Sequence, residues 1–183
     1  LRRGGPVSFG VARVALESDV IFSLPRVKAH SQMRLTLAVK NLFGCVCGLR
    51  KALIHTRQGQ DPDFFADCIA ALWAGLPPVA AVAKGRPFPL GLLGASPSAV
   101  ALDEALCAVL GLPLAGTPLG AALERRDAAG CRHAGWRHDY VLARPEDFDS
   151  TGFLLPDELM HTSFRPWRLF KSCLRRLWLA RRK

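Results

Sequence analysis

Residues 19–24 have the sequence DVIFSL, a compact apolar run that Pro25 brings to an end. A short continuous apolar run bounded by proline is typical of a strand buried on both faces. Two more apolar runs follow, VAAV at residues 79–82 and LGLL at residues 90–93. We therefore predict strands at these three places in the chain.

Helix signals lie between and beyond these runs. Residues 61–75 open with Asp-Pro, an N-cap followed by proline at the first helical position, and close with glycine. Residues 96–111 open with Ser-Pro and also close with glycine, and residues 11–16 suggest the end of a short helix. Strands that alternate with helices predict an α/β fold, a layered mixed or mostly parallel sheet flanked by helices.

Other segments give weaker signals. Residues 26–40 are polar and basic with spaced apolar positions, and their assignment to helix or strand stays open. Residues 41–44 (NLFG) are predicted to form a turn. Residues 112–164 have a looser pattern, within which residues 140–143 (YVLA) are predicted to add one more strand.

The positive charge is concentrated at the C-terminal end. The chain has 183 residues and a net charge of +10. Eight basic and no acidic residues lie between residues 165 and 183, which leaves +2 for the rest of the chain. We predict a single α/β domain over residues 1–164, because this length supports one core, followed by a basic amphipathic helix over residues 165–183.

In that helix, the apolar and basic side chains would separate onto two faces. One face would carry Trp167, Phe170, Cys173, Leu174, Leu177 and Trp178, and the opposite face Arg168, Lys171, Arg175, Arg176 and Arg182. This pattern suits an acidic protein partner or a membrane surface. The alternative is a helix docked on the core of its own domain. We do not expect binding to nucleic acid, because the nearly neutral body offers no extension of the basic track.

Composition also limits the compartment and the cofactors. No apolar run approaches the roughly 18 to 20 residues that span a bilayer, and no basic-then-apolar leader is present, so we expect a cytoplasmic location. Since the chain begins with Leu1 rather than Met, we expect it to start partway into a gene product. The six cysteines are scattered without CxxC pairs, so we expect reduced thiols and predict no metal ligands.

A long basic interval separates Asp19 from Asp61. It contains no acidic residue, and its basic residues are Arg26, Lys28, Arg34, Lys40, Arg50, Lys51 and Arg57, together with His30 and His55. In a compact fold these charges would repel one another unless an anion, or carboxylates from elsewhere in the chain, relieved the repulsion. Some of them follow apolar strands, where α/β folds build ligand sites. A solvated basic surface is the alternative.

Six short motifs occur in order along the chain. They are SDVIFSLPRVKAH at residues 18–30, LAVKNLFGCV at 37–46, RKALIH at 50–55, DFFA at 63–66, LGLLGASP at 90–97 and VALD at 100–103. Together they resemble the domain of unknown function 362 family over about residues 11–112. The combination of several ordered motifs makes the resemblance specific.

The resemblance implies no particular reaction, because the family has no general assigned activity. Many members carry a ferredoxin-like module with two four-cysteine motifs for [4Fe–4S] clusters, and this chain contains no such motif. A cluster or metal would therefore belong to another part of the protein. Family members also follow the strand that matches residues 79–82 with an aspartate–glycine pair and a glycine-rich loop bearing a glutamate. Here Ala83 leads directly to Lys84, so we expect either that the loop is lost or that the backbone is interrupted there.

From the basic interval and the resemblance we predict a site for a small anion, a carboxylate or a phosphate, with a metal as an open addition. The predicted ligand contacts are Lys28, Lys40, Asn41, Arg50, Lys51, His55 and Asp103, and His30 is the predicted acid–base catalyst. The alternative functions are a component of an iron–sulfur redox system and a peripheral adaptor bound through residues 165–183. Whether the protein is an enzyme stays open.

Each predicted contact also has a structural alternative. Lys28 and Lys40 could form ion pairs with Asp19, Asp61 or Asp103. His30 could be a hydrogen-bonded structural histidine, and Asn41 could cap the backbone of a turn. Asp103 could face solvent or form an ion pair.

Overall fold

The computed structural model describes residues 8, 10–48, 51, 54, 61–84, 90–128, 144–156 and 158–159. Its strands are β1 (Ile21–Ser23), β2 (Lys28–His30), β3 (Arg34–Thr36), β4 (Val79–Lys84) and β5 (Leu93–Ser96). Its α-helices are α1 (Arg13–Leu16), α2 (Ala38–Asn41), α3 (Pro62–Ala74), α4 (Ala99–Val109) and α5 (Pro118–Ala128). Short 3-10 helices cover Leu42–Cys45, Leu114–Gly116 and Pro145–Asp147.

The main sheet has three strands in the order β1-β4-β5. Strand β1 runs parallel to β4, with Ser23 opposite Ala81, and β4 runs antiparallel to β5, with Ala83 opposite Gly94. This mixed sheet flanked by helices confirms the predicted α/β class. Strand β4 continues through Lys84, so the predicted interruption between Ala83 and Lys84 is wrong.

The two long predicted helices form, but one begins later than expected. Asp61 caps α3 as predicted, because its Oδ1 accepts a hydrogen bond from the N–H of Phe64 at 3.2 Å. Helix α4 is capped by Ser98, whose Oγ accepts from the N–H of Ala101 at 3.3 Å, and not by Ser96. Pro97 therefore lies before the helix rather than in its first turn.

Helix α5 lies in the stretch for which the sequence predicted a looser structure. Its first turn is closed by Thr117, whose Oγ1 accepts a hydrogen bond from the N–H of Gly120 at 3.0 Å. Thr117 and Pro118 repeat the cap-and-proline signal, so this helix could have been found from the sequence. The predicted strand at residues 140–143 lies outside the described residues.

Residues 26–40, left open by the sequence, contain both kinds of structure. Strands β2 and β3 form an antiparallel hairpin, and α2 follows directly. Residues 41–44 are not a simple turn, because Asn41 ends α2 and a 3-10 helix begins at Leu42. The chain therefore leaves the sheet, makes the hairpin, and returns to place α2 beside the sheet.

One hydrophobic core joins the hairpin, the main sheet and the helices. Its largest fully buried side chains include Phe65 and Ile69 of α3, Met33 of the hairpin turn and Val100 of α4. None of the described helices is long and apolar enough to cross a membrane. The predicted helix over residues 165–183 lies outside the described residues, and the division into residues 1–164 and 165–183 stays a prediction.

Candidate anion-binding site

Helix α2 is a single turn that a buried carboxylate holds at its start. Asp103, on α4, accepts hydrogen bonds from the N–H of Ala38 at 2.6 Å and from the N–H of Val39 at 3.0 Å. Its side chain is 0% exposed. The first N–H groups of a helix have no partner within the helix, and a carboxylate there also meets the positive end of the helix dipole. Asp103 therefore fixes α2 against α4.

A second contact ties α2 to strand β1. Ser23, the last residue of β1, donates a hydrogen bond from Oγ to the carbonyl of Ala38 at 3.0 Å. The same oxygen accepts a bond from Nδ2 of Asn41 at 3.2 Å. Ser23 is buried, whereas Asn41 is exposed. Helix α2 is thus fixed at the carboxyl end of a parallel strand, where α/β folds usually place ligands.

Lys40 lies on this fixed turn. It is only 8% exposed. Burial is the main cause that lowers the pKa of Lys40 from 10.5 to about 8, and the positive charges of Lys28 and Lys51 lower it further. Among the residues that the structure describes, no carboxylate lies within ion-pairing distance of Lys40. The described part of the chain therefore shows no ion pair between Lys40 and an aspartate, which was the structural alternative for this lysine.

Lys28 reaches this region from the hairpin. It stands directly opposite Thr36 in the β2–β3 ladder, so both side chains share one face of the hairpin. Thr36 is 8% exposed, and its Oγ1 is buried with no hydrogen-bond partner in the described structure. A buried hydroxyl without a partner costs about 1–3 kcal/mol. Thr36 therefore offers a hydroxyl without a protein partner opposite Lys28, and the sequence did not reveal it because the strands there could not be assigned.

Lys51 is held from the other side by aromatic packing. Its Nζ lies 5.6 Å from the centroid of the Phe43 ring, within the range of a cation–π interaction. Phe43 in turn packs edge-to-face on Phe65 of α3, with the ring centroids 5.3 Å apart. The three lysines at positions 28, 40 and 51 form what we call the lysine cluster, and each comes from a different part of the fold.

His30 shares strand β2 with Lys28. Its Nδ1 accepts a hydrogen bond from the N–H of Gln32 at 3.2 Å within the hairpin turn, so the neutral ring would carry its proton on Nε2. This bond fits the structural alternative for His30. Its role as an acid–base catalyst stays a prediction.

The remaining predicted contacts fall into two groups. Arg50 and His55 lie outside the described residues. Asp103 is inside the protein, so it neither faces solvent nor forms an ion pair within the described structure, and its geometry is that of a residue that positions α2. Burial raises the pKa of Asp103 to about 7, although the two N–H bonds act in the opposite direction.

The described residues include few groups suited to metal binding or redox chemistry. In the described ranges, no three or more His, Cys, Asp or Glu side chains are grouped so that they could hold a metal. The four described cysteines form no disulfide; Cys68 and Cys107 are buried, Cys45 is partly exposed and Cys47 is exposed. Burial raises the pKa of the Cys107 thiol to about 12, so it stays protonated at neutral pH.

Comparison with known proteins bears directly on the predicted resemblance. The sequence profile described as "Domain of unknown function (DUF362)" matches residues 4–108. The "Thylakoid-associated protein sll1697" of Synechocystis sp. is 30% identical in an alignment that covers 92% of this chain and 56% of that relative. No solved structure matches. Because the profile covers more than half of the chain and includes the predicted motifs up to residue 103, the resemblance is confirmed, and the chain belongs to the DUF362 family.

Proposed function

We propose that the protein binds a small anion, a carboxylate or a phosphate, at the lysine cluster. Lys28, Lys40 and Lys51 would supply the positive charge, and the Thr36 hydroxyl and the exposed Asn41 amide would supply further hydrogen bonds. Charge-assisted hydrogen bonds contribute about 1.5–3 kcal/mol each, so two or three would hold such an anion at useful affinity.

The observation that carries this proposal is the state of Lys40. A buried ammonium group without a counter-ion is costly, and two further lysines raise that cost. The fold nevertheless fixes Lys40 there through hydrogen bonds from two other elements. An anion that enters the cluster would relieve the repulsion among the three lysines, and this compensation accounts for why they converge.

The test is ligand-dependent thermal stability of the whole chain. Inorganic phosphate, pyrophosphate and citrate would be compared with sodium chloride at the same ionic strength. At 100 times its Kd, a ligand stabilises the folded state by about 2.7 kcal/mol, which corresponds to roughly 5 to 10 °C for a domain of this size. We expect such a shift with at least one of these anions.

Three variants make the test specific to the cluster. Lys40→Met should abolish the shift in Tm. Lys28→Ala should weaken the affinity for the anion at least tenfold. Arg144→Met removes one charge from an exposed residue that is not among the proposed ligand contacts and should leave the shift unchanged. If none of the anions stabilises the wild type, or if all three variants respond alike, the proposal fails.

A second candidate function is binding to a membrane surface through residues 165–183. Two observations favour it: the relative from Synechocystis is described as thylakoid-associated, and residues 165–183 combine eight basic residues with two tryptophans and no acidic residue. An acidic protein partner stays an alternative for the same segment. The expected cytoplasmic location stays a prediction, because association with a membrane surface is compatible with it.

Vesicle binding would separate these possibilities. We expect the full chain to co-sediment with anionic vesicles at low salt and to dissociate as salt is raised, because the attraction to anionic lipid is screened. Replacing Arg175 and Arg176 together with glutamate should abolish co-sedimentation. Equal binding by the wild type and this variant would exclude the segment as the membrane contact.

A role in an iron–sulfur redox system, the remaining alternative, would require a cluster module outside this chain. The chain spans 56% of the length of the thylakoid-associated relative, so the whole protein can contain segments that this sequence does not. Iron content and visible absorbance of the full gene product would test this role. A longer product without iron would exclude it.

A further inference from the structure

We propose that Lys40 is a carbonyl-reactive amine, and that the ligand of the lysine cluster is an anion that also carries an aldehyde or ketone, such as a 2-oxo acid or a phosphorylated aldehyde. The product would be an imine between Nζ of Lys40 and the carbonyl carbon. This inference rests on the proposed function, because the other two lysines would hold the anionic group of the same molecule.

The surroundings of Lys40 favour the neutral amine that such a reaction needs. Lys40 is buried, has two lysines as charged neighbours, and meets no carboxylate within the described structure. These are the two means by which proteins activate a lysine as a nucleophile, desolvation and a neighbouring cation. With a pKa of about 8, about a tenth of Lys40 is neutral at pH 7, roughly 300 times the fraction for a lysine with the ordinary pKa of 10.5.

The cluster divides into one reacting amine and two holding groups. Lys28 is exposed on the hairpin and Lys51 packs over an aromatic ring, and both are placed to bind an anionic group. In a 2-oxo acid the carbonyl carbon is bonded directly to the carboxylate carbon. In the proposed complex, Lys28 and Lys51 would bind the carboxylate and Lys40 would meet the carbonyl carbon next to it.

The position of Lys40 is also fixed before any ligand binds. Its helical turn is held by Asp103 at one end and by Ser23 along its length. A nucleophile on a rigid, hydrogen-bonded turn loses little conformational freedom when it reacts. Asp103 and Ser23 thus act as positioning residues for Lys40, and neither needs to touch the ligand.

The reaction is balanced without any further reagent. The lone pair of the neutral Lys40 amine attacks the carbonyl carbon and gives a carbinolamine. The former amine gives up its two protons, and the carbonyl oxygen leaves with them as water. The carbon–nitrogen double bond replaces the carbon–oxygen double bond, so nothing is oxidised or reduced.

The test is reductive trapping on the chain of residues 1–183. The protein would be incubated at pH 7 with pyruvate, or with pyridoxal 5′-phosphate as a phosphorylated aldehyde, and then treated with sodium borohydride. Peptide mass spectrometry would locate the adduct among the six lysines of the chain. We expect one adduct per chain, at Lys40, and a rate that rises with pH to a plateau above about pH 8.

Exposure alone predicts the opposite pattern, which makes the result decisive. Lys40 is buried whereas Lys28 is exposed, so non-specific modification would favour Lys28 over Lys40. Adducts distributed according to exposure, or a rate at Lys40 that keeps rising towards pH 10.5, would overturn the inference. Inorganic phosphate should slow trapping at Lys40 by competing for the cluster.

Anion-dependent stabilisation of the wild type, measured beside the trapping, separates this inference from the proposed function. Lys40→Arg forms no imine under these conditions and should lose the trapped adduct. If anions stabilise the wild type but no adduct forms at Lys40, the imine is excluded and anion binding stands. If neither occurs, both fail. Should Lys40→Arg not fold, the position of the adduct in the wild type still decides.

Discussion

Replacing Lys40 with methionine is expected to stabilise the ligand-free protein, although it removes the central residue of the candidate site. Lowering the pKa of Lys40 from 10.5 to about 8 corresponds to about 3 kcal/mol of unfavourable free energy for the charged form. Methionine has a similar length, is apolar and packs adaptably, so it fills the same space without a charge. Allowing for imperfect packing, we expect a gain of about 2 kcal/mol at pH 7, or roughly 4 to 8 °C in Tm.

The pH dependence identifies the cause of that gain. Because the pKa of Lys40 is lower in the folded state, the unfolded chain binds more protons between about pH 8 and 10.5, and wild-type stability rises through this window. The advantage of Lys40→Met should therefore be complete below pH 8 and disappear as the pH approaches 10.5. Chemical denaturation at pH 7, 8, 9 and 10 in phosphate-free buffer would measure it.

The matched control is Arg144→Met, which makes the same change in charge at an exposed residue. It should alter stability by less than about 0.5 kcal/mol at every pH. A saturating anion at pH 7 should reverse the order, so that the wild type becomes at least as stable as Lys40→Met. If Lys40→Met is less stable than the wild type without ligand, or if the difference in stability does not change with pH, Lys40 is not buried at a cost in free energy.

Further substitutions at four positions test the site and other parts of the fold. Asp103→Ala should destabilise the fold by about 3 to 5 kcal/mol in urea titration, because two N–H groups at the start of α2 lose their partner. The pKa of Asp103 is raised from 3.8 to about 7 on folding, so the folded protein binds more protons than the unfolded chain between these values. Wild-type stability should therefore fall as the pH rises from about 4 to 7, and Asp103→Asn should show no such fall. Gly120→Ala should cost more than about 3 kcal/mol because the added Cβ would overlap the carbonyl of Leu114, whereas Gly44→Ala, which meets nothing within 4 Å, should cost less than about 1 kcal/mol. Arg34 has a φ of 59°, so Arg34→Gly should raise stability by about 0.5 to 1 kcal/mol, and a clear loss in thermal unfolding would contradict that reading of the hairpin.

Local signals in the sequence were enough for several elements. Strand β1 was found from its apolar run, although it is not buried on both faces as predicted, because Phe22 is 67% exposed. Helix α3 follows from the Asp61–Pro62 start, because a capping side chain bonds to an N–H only three residues away. The start of α4 was misplaced because Ser96 and Ser98 stand on either side of Pro97, and both can cap a helix. Only the folded backbone shows that Ser98 does so, while Ser96 accepts a bond from the N–H of Ser98 at 3.1 Å.

The sequence by itself determined the α/β class, the family and the identity of the basic residues, because these depend on composition and on spacing over a few positions. The tertiary structure alone decided which of those residues meet. The bond between Asp103 and α2 joins positions 65 residues apart, and no local pattern foretells it. The tertiary structure also showed that Lys40 is buried with Lys28 and Lys51 as its charged neighbours. The sequence could not reveal this, because the pKa of an amine depends on the water that folding removes and on the charges that it brings near.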